Sequence, residues 1–451
     1  MSVRFREVDR DTPMLLPPDL RDWVEEDDLV HFVIQAVERI PVSEFRVNHR
    51  GTGDAQYPPH MMLSLLIYCY ANGVFSSRRI ERATYRDVAV RFLTANTHPD
   101  HDTICTFRRN NFQAVAEAFV YVLELARELG LLKLGTVSID GTHIKANASK
   151  DKNVTYERAN ELRQLLKEDV QELLQLAEQA DEKDKDPQKL PEALDRRQKL
   201  LSKMERACSV IEERARLRDE KEKKLHEEKV ANQNKRPPTK KGPPIHPPKL
   251  GPRADDQINM SDESSALMRK NRRDGYTQSY NAQAVVDADG SQLIVGQRVS
   301  RCVSDRGELE PGLKSIPKGL GDPTRVLADA GYANAAVFER LEAQGIDPYV
   351  SVQREDANYH RQYEFRPQKR MSRPRNVIEP RALAMKAKLQ TEEGKRLYRL
   401  RSKTVEPVFG IIKQVMGFRG FLLRGIENVT GEWNLISLAY NMKRLHQLMK
   451  S

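Results

Sequence analysis

Two hydrophobic periods divide the chain. Up to about residue 130 the apolar positions recur at helical spacing. The segment from His60 to Tyr70 is apolar and rich in helix formers, and Ile80, Ala83, Val88 and Phe92 continue a helical pattern. The polar run HPDHD (98–102) marks a turn, after which Asp102 is placed to cap a short helix through Phe112. On that helix Ile104 and Phe107 face a core, and Thr106, Arg109 and Asn110 share the opposite side. A helix, a turn and a polar second helix are the outline of a helix-turn-helix DNA reader, an outline that other small helical domains also have.

The period then changes to two. TVSIDGTHI (136–144) alternates Val137 and Ile139 with polar neighbours and breaks at Asp140-Gly141, which reads as a strand ending in a turn. QSYNAQAVVDADG (278–290) and QLIVGQRVS (292–300) form a hairpin joined at Asp289-Gly290. TRVLADAGY (324–332) is a short buried strand ending at Asp329-Ala330-Gly331, and DPYVSV (347–352) is another strand. Between the first strand and the hairpin, from Lys150 to Val230, the composition turns to Glu, Lys, Arg, Gln and Leu. Leu162, Leu166, Leu173 and Leu176 make one stripe there; Leu194, Leu201, Met204, Cys208 and Ile211 make a second. The proline-bearing break DKDPQKLP (184–191) separates them. This predicts an inserted antiparallel helical hairpin, each helix of roughly 30 residues and about 45 Å. NKRPPTKKGPPIHPPKLGPR (234–253) lacks an apolar face and reads as an extended basic linker.

Two helices close the chain. In EPVFGIIKQVMGF, Pro407 after Glu406 places the helix start at Glu406, because proline is tolerated in a first turn. EWNLISLAYNMKRLHQLMK is amphipathic, with Trp433, Ile436, Ala439 or Tyr440, Leu445 and Leu448 compatible with one face. Strands flanking a helical insertion and followed by helices predict an α/β fold with a mixed sheet.

Composition narrows the function classes. No apolar run reaches about 18 residues, so no membrane span is expected, and the N-terminus has no signal-peptide pattern, which points to the cytosol. Four scattered cysteines without a CxxC pair argue against a zinc ribbon and a disulfide framework. The formal charge of +10 is uneven: residues 361–424 carry 17 Lys/Arg against five Asp/Glu. A local surplus of that size suits a polyanion, because each neutralised phosphate releases condensed counterions.

Three acidic residues stand out against this background. Asp140 and Asp329 each follow a short apolar strand and precede a glycine within two residues. A carboxylate at a strand end projects into the crevice where open α/β folds bind ligands. Two such carboxylates side by side repel and raise one pKa, a problem that a divalent cation removes. Glu406 lies among cations, with Arg399 and Arg401 in its approach and Lys413 two helical turns on.

These segments resemble a known family. DGTHIKANAS (140–149), SYNAQAVVD (279–287), LADAGY (327–332) and YRLRSKTVEPVFGIIK (398–413) are similar to the motif set of bacterial insertion-sequence transposases of the DDE type. The last contains Tyr398, Arg401, Glu406 and Lys413, similar to that family's tyrosine–arginine–glutamate–lysine signature. Four residues separate Arg401 from Glu406 where the common signature has three; the Glu-to-Lys spacing of seven matches. YPPHMMLSLLIYCYANGVFSSRRIERA (57–83) resembles the family's helical N-terminal domain, and NMSDESSALMRK (259–270) a segment preceding its second strand.

The resemblance implies an RNase H-like mixed sheet with flanking helices, preceded by an all-helical N-terminal domain and interrupted by a helical insertion. The corresponding division is a DNA-binding domain over 1–130, the first catalytic strand over 131–149, the hairpin and linker over 150–255, and the rest of the catalytic domain over 256–451. It implies Asp140, Asp329 and Glu406 as catalytic ligands of two Mg²⁺ or Mn²⁺ ions. Tyr398, Arg401 and Lys413 are implied DNA contacts, joined by Thr106, Arg109 and Asn110 of the N-terminal helix. The implied partners are double-stranded DNA, as terminal inverted repeats and as target, and a second copy in a synaptic homodimer, acting at the nucleoid. Two other classes share part of this pattern: a catalytically silent transposase-derived DNA-binding protein, and a metal-dependent nuclease that cuts without joining.

Overall fold

A computed structural model of the chain describes residues 19–47, 56–181, 190–234, 245–269, 275–352 and 379–450. The first 18 residues, most of the break at 184–191, half of the basic linker and the basic stretch 361–378 lie outside the described residues.

Among the described residues, six α-helices precede the sheet: α1 (Leu29–Glu38), α2 (Pro59–Ala71), α3 (Ser77–Arg86), α4 (Val88–Leu93), α5 (His101–Asn110) and α6 (Phe112–Glu128). Side-chain caps fix several starts by accepting first-turn N–H groups. Asp28 accepts from Val30 N at 2.8 Å and Asp87 from Val90 N at 3.0 Å. The cap of α5 is Asp100, which accepts from Asp102 N and Thr103 N at 2.8 Å each. Asp102, the cap expected from the sequence, instead lies exposed within the first turn. Ile104 is fully buried and Phe107 half-buried, while Thr106, Arg109 and Asn110 are exposed, as their spacing predicts. Arg108 is buried too, its Nη1 donating to Tyr70 OH at 2.7 Å.

The sheet is assembled from distant segments. β1 (Thr136–Lys145) pairs antiparallel with β5 (Thr277–Asp287) and parallel with β7 (Arg325–Ala328), which pairs parallel with β8 (Asp347–Val350). β4 (Ala266–Met268) and β6 (Ile294–Ser300) share the other edge of β5, pairing successive parts of it. The β5–β6 hairpin and the β7 and β8 strands therefore lie where the sequence places them. β1 does not. It runs five residues past Asp140, paired with β5 from Val137 to Lys145. Gly141 is needed for close approach rather than a turn: a Cβ there would meet Asp305 Oδ1 at 2.6 Å, Asn281 Oδ1 at 2.7 Å and the Gln283 amide nitrogen.

Between β1 and β4 sit a small two-stranded sheet, β2 (Asn153–Thr155) with β3 (Gln257–Asn259), and a helical hairpin, α7 (Tyr156–Asp181) and α8 (Leu190–Asn234). Leu166 and Val170 of α7 are buried, as are Met204, Ala207, Cys208 and Ile211 of α8. Leu176, expected in the first stripe, is exposed, and α8 reaches 45 residues, longer than expected. Ion pairs from Arg218 to Asp256 at 2.7 Å and from Arg253 to Glu222 at 3.0 Å fasten α8 to the chain returning toward β3.

The remaining helices are α9 (Leu309–Leu313), α10 (Ala335–Ala343), α11 (Pro380–Gln390), α12 (Glu392–Gly410) and α13 (Ile426–Lys450). Two of them correct the sequence reading. α12 does not begin at Glu406; it starts fourteen residues earlier, capped by Thr391, and carries Pro407 inside. Proline provides no N–H for the carbonyl four residues back. That carbonyl, Lys403 O, accepts instead from Gln292 Nε2 at 2.8 Å. Beyond α12 the chain widens into a π-turn over Ile411–Val415.

α13 is not amphipathic; it is enclosed nearly all round from Val429 to Met442, with Leu448 only half-buried. It packs on α1, α2, α6 and β6. Its buried Asn441 accepts from Ile294 N and donates to Ile294 O, both at 2.8 Å, satisfying backbone groups at the irregular end of β6. One continuous hydrophobic core accordingly joins the N-terminal helices to the sheet. Gly431 lets α13 meet α6, because a Cβ there would enter the Phe112 ring. Gly431→Ala should therefore destabilise the chain by about 1–3 kcal/mol, read as a lower midpoint in thermal or urea unfolding.

Candidate active site

The register of two strands creates the site. Ser138 of β1 lies beside Leu327 of β7 in a parallel ladder. Two residues further along each chain, this register sets Asp140 beside Asp329. Strand side chains alternate between faces, so both carboxylates share the face of Leu327. That face packs on α12, with Leu327, Tyr349 and Leu397 in one apolar cluster. Val326 and Ala328 point the other way, into the main core.

Each aspartate has one oxygen fixed by the backbone after it. Asp140 Oδ1 accepts from Gly141 N at 2.8 Å, and Asp329 Oδ1 accepts from Gly331 N at 2.7 Å. Burial, and then the negative charge of Asp329, push the Asp140 carboxyl up to about 7; the Gly141 N–H and Arg401 oppose the rise, and Asp305 adds to it.

Asp305 is the residue that sequence reasoning missed. It opens a one-turn helix after β6, and its Oδ1 accepts from Asn281 Nδ2 and Gln283 Nε2, both at 2.7 Å. Asn281 and Gln283 lie on β5 opposite His143 and Gly141. Tyr332, fully buried, donates its hydroxyl to Gln283 Oε1, and Trp433 Nε1 donates to Gln283 O at 3.0 Å. A polar floor thus runs beneath the carboxylates from β5 to α13. The segment around Asp305, SDRG, reads in sequence as an ordinary turn; only the space over Gly141 brings it in.

Glu406 comes from α12, whose Leu397, Val405 and Val408 are buried. Arg401 lies between it and the sheet, with Nη2 to Glu406 Oε1 at 3.0 Å and Nη1 to Asp140 Oδ2 at 3.5 Å. Its guanidinium also sits 5.9 Å from the centre of the Tyr398 ring. Glu406 is about half-exposed and mid-helix, so the helix-mouth placement expected for it does not hold. Lys413, in the π-turn, donates to Thr142 Oγ1 and to His143 O, the latter at 3.1 Å. Tyr398, Arg401, Glu406 and Lys413 therefore gather along β1.

The chemistry of the donors fits a hard divalent cation: carboxylate oxygens, like charges side by side, and oxygens left over after backbone bonding. Among the described residues no three acidic, His or Cys side chains are close enough to hold one ion. Arg401 stands between Asp140 and Glu406, occupying the place of positive charge.

Thr106 and Asn110 are not part of this cluster. They line a separate cavity of ≈850 Å³ with Arg46, Tyr57 and Asp100, on a helix that packs on α2 and α3.

Two family comparisons agree with this architecture. Residues 251–442 match the Transposase DDE domain, and residues 18–110 match the Transposase domain (DUF772). Comparison with curated proteins and with solved structures gave no match. The chain is a transposase. More narrowly, it belongs to the DDE-type transposases of insertion sequences. The DDE match contains Asp305, Asp329 and Glu406 but not Asp140, which the sheet supplies through β1. No helix among the described residues is long and apolar enough to cross a membrane.

The raised Asp140 pKa has a defined consequence for stability. The folded chain holds a proton that the unfolded chain releases near pH 4, so stability falls as pH rises from about 4 to about 7. Without divalent metal, Asp140→Asn should be more stable than the parent above pH 7, by on the order of 2–4 kcal/mol. The difference should fade below pH 4, where both side chains are neutral. Parallel thermal melts across this range check it; equal midpoints at pH 8 would contradict the rise that burial and Asp329 impose on Asp140.

Proposed function

We propose that this transposase cuts DNA at the ends of its element and joins those ends to target DNA, using Asp140, Asp329 and Glu406 on an RNase H-like sheet. The observation that carries the reading is the parallel register of Ser138 with Leu327, which leads Asp140 and Asp329 off neighbouring strands toward α12. The strand order β6-β5-β1-β7-β8, antiparallel in its first half and parallel in its second, supports the fold assignment.

The three carboxylates would hold Mg²⁺ or Mn²⁺, two ions in the full site, which supply charge to the attacking and leaving oxygens of an in-line phosphoryl displacement. The residues of the chain set the frame for that chemistry. Backbone N–H groups of Gly141 and Gly331 orient Asp140 and Asp329, leaving their other oxygens directed to the shared face. Arg401, with five donors in a rigid fork, suits a phosphate as well as the carboxylates it now binds. Binding a strand phosphate would draw it from Glu406 and free that carboxylate as a ligand. Lys413 provides a point charge at the same edge, and Tyr398 supports Arg401 from below.

In this reading residues 1–130 form the DNA-binding part, with Thr106, Arg109 and Asn110 presented by α5. Residues 131–149 and 256–451 form the catalytic part, around the inserted 150–255. The reaction uses two element ends, so two copies act together on DNA, and the protein works at the nucleoid.

Asp140→Asn, Asp329→Asn and Glu406→Gln should each reduce Mn²⁺-dependent cleavage of element-end DNA to background while duplex binding is retained. Joined products in a second duplex, read on a denaturing gel, separate transposition from simple cutting. Full cleavage by any one variant would remove that residue from the site. Duplex binding by the parent with no cut product in Mn²⁺ would contradict the catalytic reading.

A further inference from the structure

A second basic site lies where the helical hairpin meets the sheet. Arg214 of α8 and Arg301, the residue after β6, are both half-buried. Arg214 Nη2 donates to Glu263 O at 2.5 Å, while its Nη1 is buried with no hydrogen-bond partner among the described residues. Arg301 has no ion pair to any described residue. The two guanidinium groups are near enough that Arg301, after burial, holds Arg214 down to about 10; burial likewise lowers Arg301. Tyr280 of β5 is near enough to both to interact electrostatically. It is the neighbour of Asn281, which pairs with Ser300, so the ladder sets it beside Arg301.

The surrounding acids are already engaged. Asp262 accepts the Tyr280 hydroxyl at 2.8 and 2.9 Å and Gly425 N at 3.2 Å. Glu263 is paired with Arg206 at 2.6 Å and Asp256 with Arg218 at 2.7 Å. Two like charges are thus packed together, partly out of water, with a donor aimed at nothing. Such an arrangement costs stability unless an anion completes it.

The pair also stands close to the candidate active site. Cys302 O accepts from Asn281 Nδ2 at 3.2 Å, and the same amide donates to Asp305. Three residues separate Arg301 from Asp305 along the chain, so their Cα atoms are within about 14 Å. At ~3.4 Å of rise per phosphate on one strand, that is at most about four nucleotides.

We propose that Arg214 and Arg301 form a phosphate-binding site for the DNA backbone, clamping a strand between the helical hairpin and the catalytic sheet a few nucleotides from the carboxylates. The proposal rests on the reading of DNA as substrate. It gives the hairpin a part in binding, since α8 supplies one of the two arginines.

The test is equilibrium binding of a fluorescein-labelled 30-base-pair duplex in EDTA, followed by anisotropy over a series of KCl concentrations. The full-length parent is compared with Arg214→Gln, Arg301→Gln and Arg301→Lys. Each glutamine variant should bind several-fold more weakly at about 0.1 M salt and lose roughly 0.9 from the slope of log K against log salt, the signature of one lost phosphate contact. The lysine variant should keep most of the slope. Melting without DNA should be unchanged or higher for Arg301→Gln, which breaks no ion pair and relieves a repulsion. A parental slope in both glutamine variants, or a lowered melting midpoint in Arg301→Gln, would overturn the proposal. So would inorganic phosphate stabilising the parent while duplex binding ignores both substitutions, which marks a free-anion site. A parent that fails to bind duplex at all would instead refute the underlying DNA reading.

Discussion

Repulsion between two carboxylates in register on neighbouring parallel strands is the constraint around which this structure is organised. β1 and β7 cannot slip by one residue without sending their apolar side chains to the wrong face, so Asp140 and Asp329 are fixed side by side by the burial of Val137, Ile139, Val326 and Ala328. The core thus holds together two charges that would separate if free. Burial, and then that repulsion, push the Asp140 carboxyl up to about 7.

The rest of the site answers that charge. α12 brings Arg401 over the pair and lets it reach Glu406, so a single guanidinium offsets two carboxylates. Beneath, Asn281 and Gln283 donate to Asp305 and settle it next to the aspartates, and Tyr332 holds the Gln283 amide in place. The floor is held rigid from behind by Trp433 of α13, the helix that also fuses the N-terminal helices to the sheet. The N-terminal part and the candidate active-site face are consequently linked through a shared hydrophobic core.

Much of this was legible in the residues, and the misreadings have physical causes. Strand periodicity found β5 to β8, and the positions of Asp140, Asp329 and Glu406 in their motifs identified the acids that the fold draws to one side of the sheet. Asp140-Gly141 looked like a turn because glycine marks both turns and tight approaches; only the packing of Asp305, Asn281 and Gln283 against Gly141 distinguishes them. Pro407 looked like a helix start because local rules assume the freed carbonyl has no other donor, and Gln292 comes from more than a hundred residues away. α13 looks amphipathic in sequence because polar residues interrupt its apolar ones, yet Asn434, Ser437 and Asn441 are buried as well. Asp305 left no local trace, since its neighbours are defined by the β5 register alone.

The central claim is that Asp140 and Asp329 share a cation-binding face. Anomalous diffraction from crystals of the full chain soaked in Mn²⁺ tests it most directly. The account predicts a manganese peak within coordination distance of both carboxylates, absent from crystals of Asp329→Asn. Well-ordered Asp140 and Asp329 side chains with no peak between them, or manganese bound only elsewhere, would contradict it.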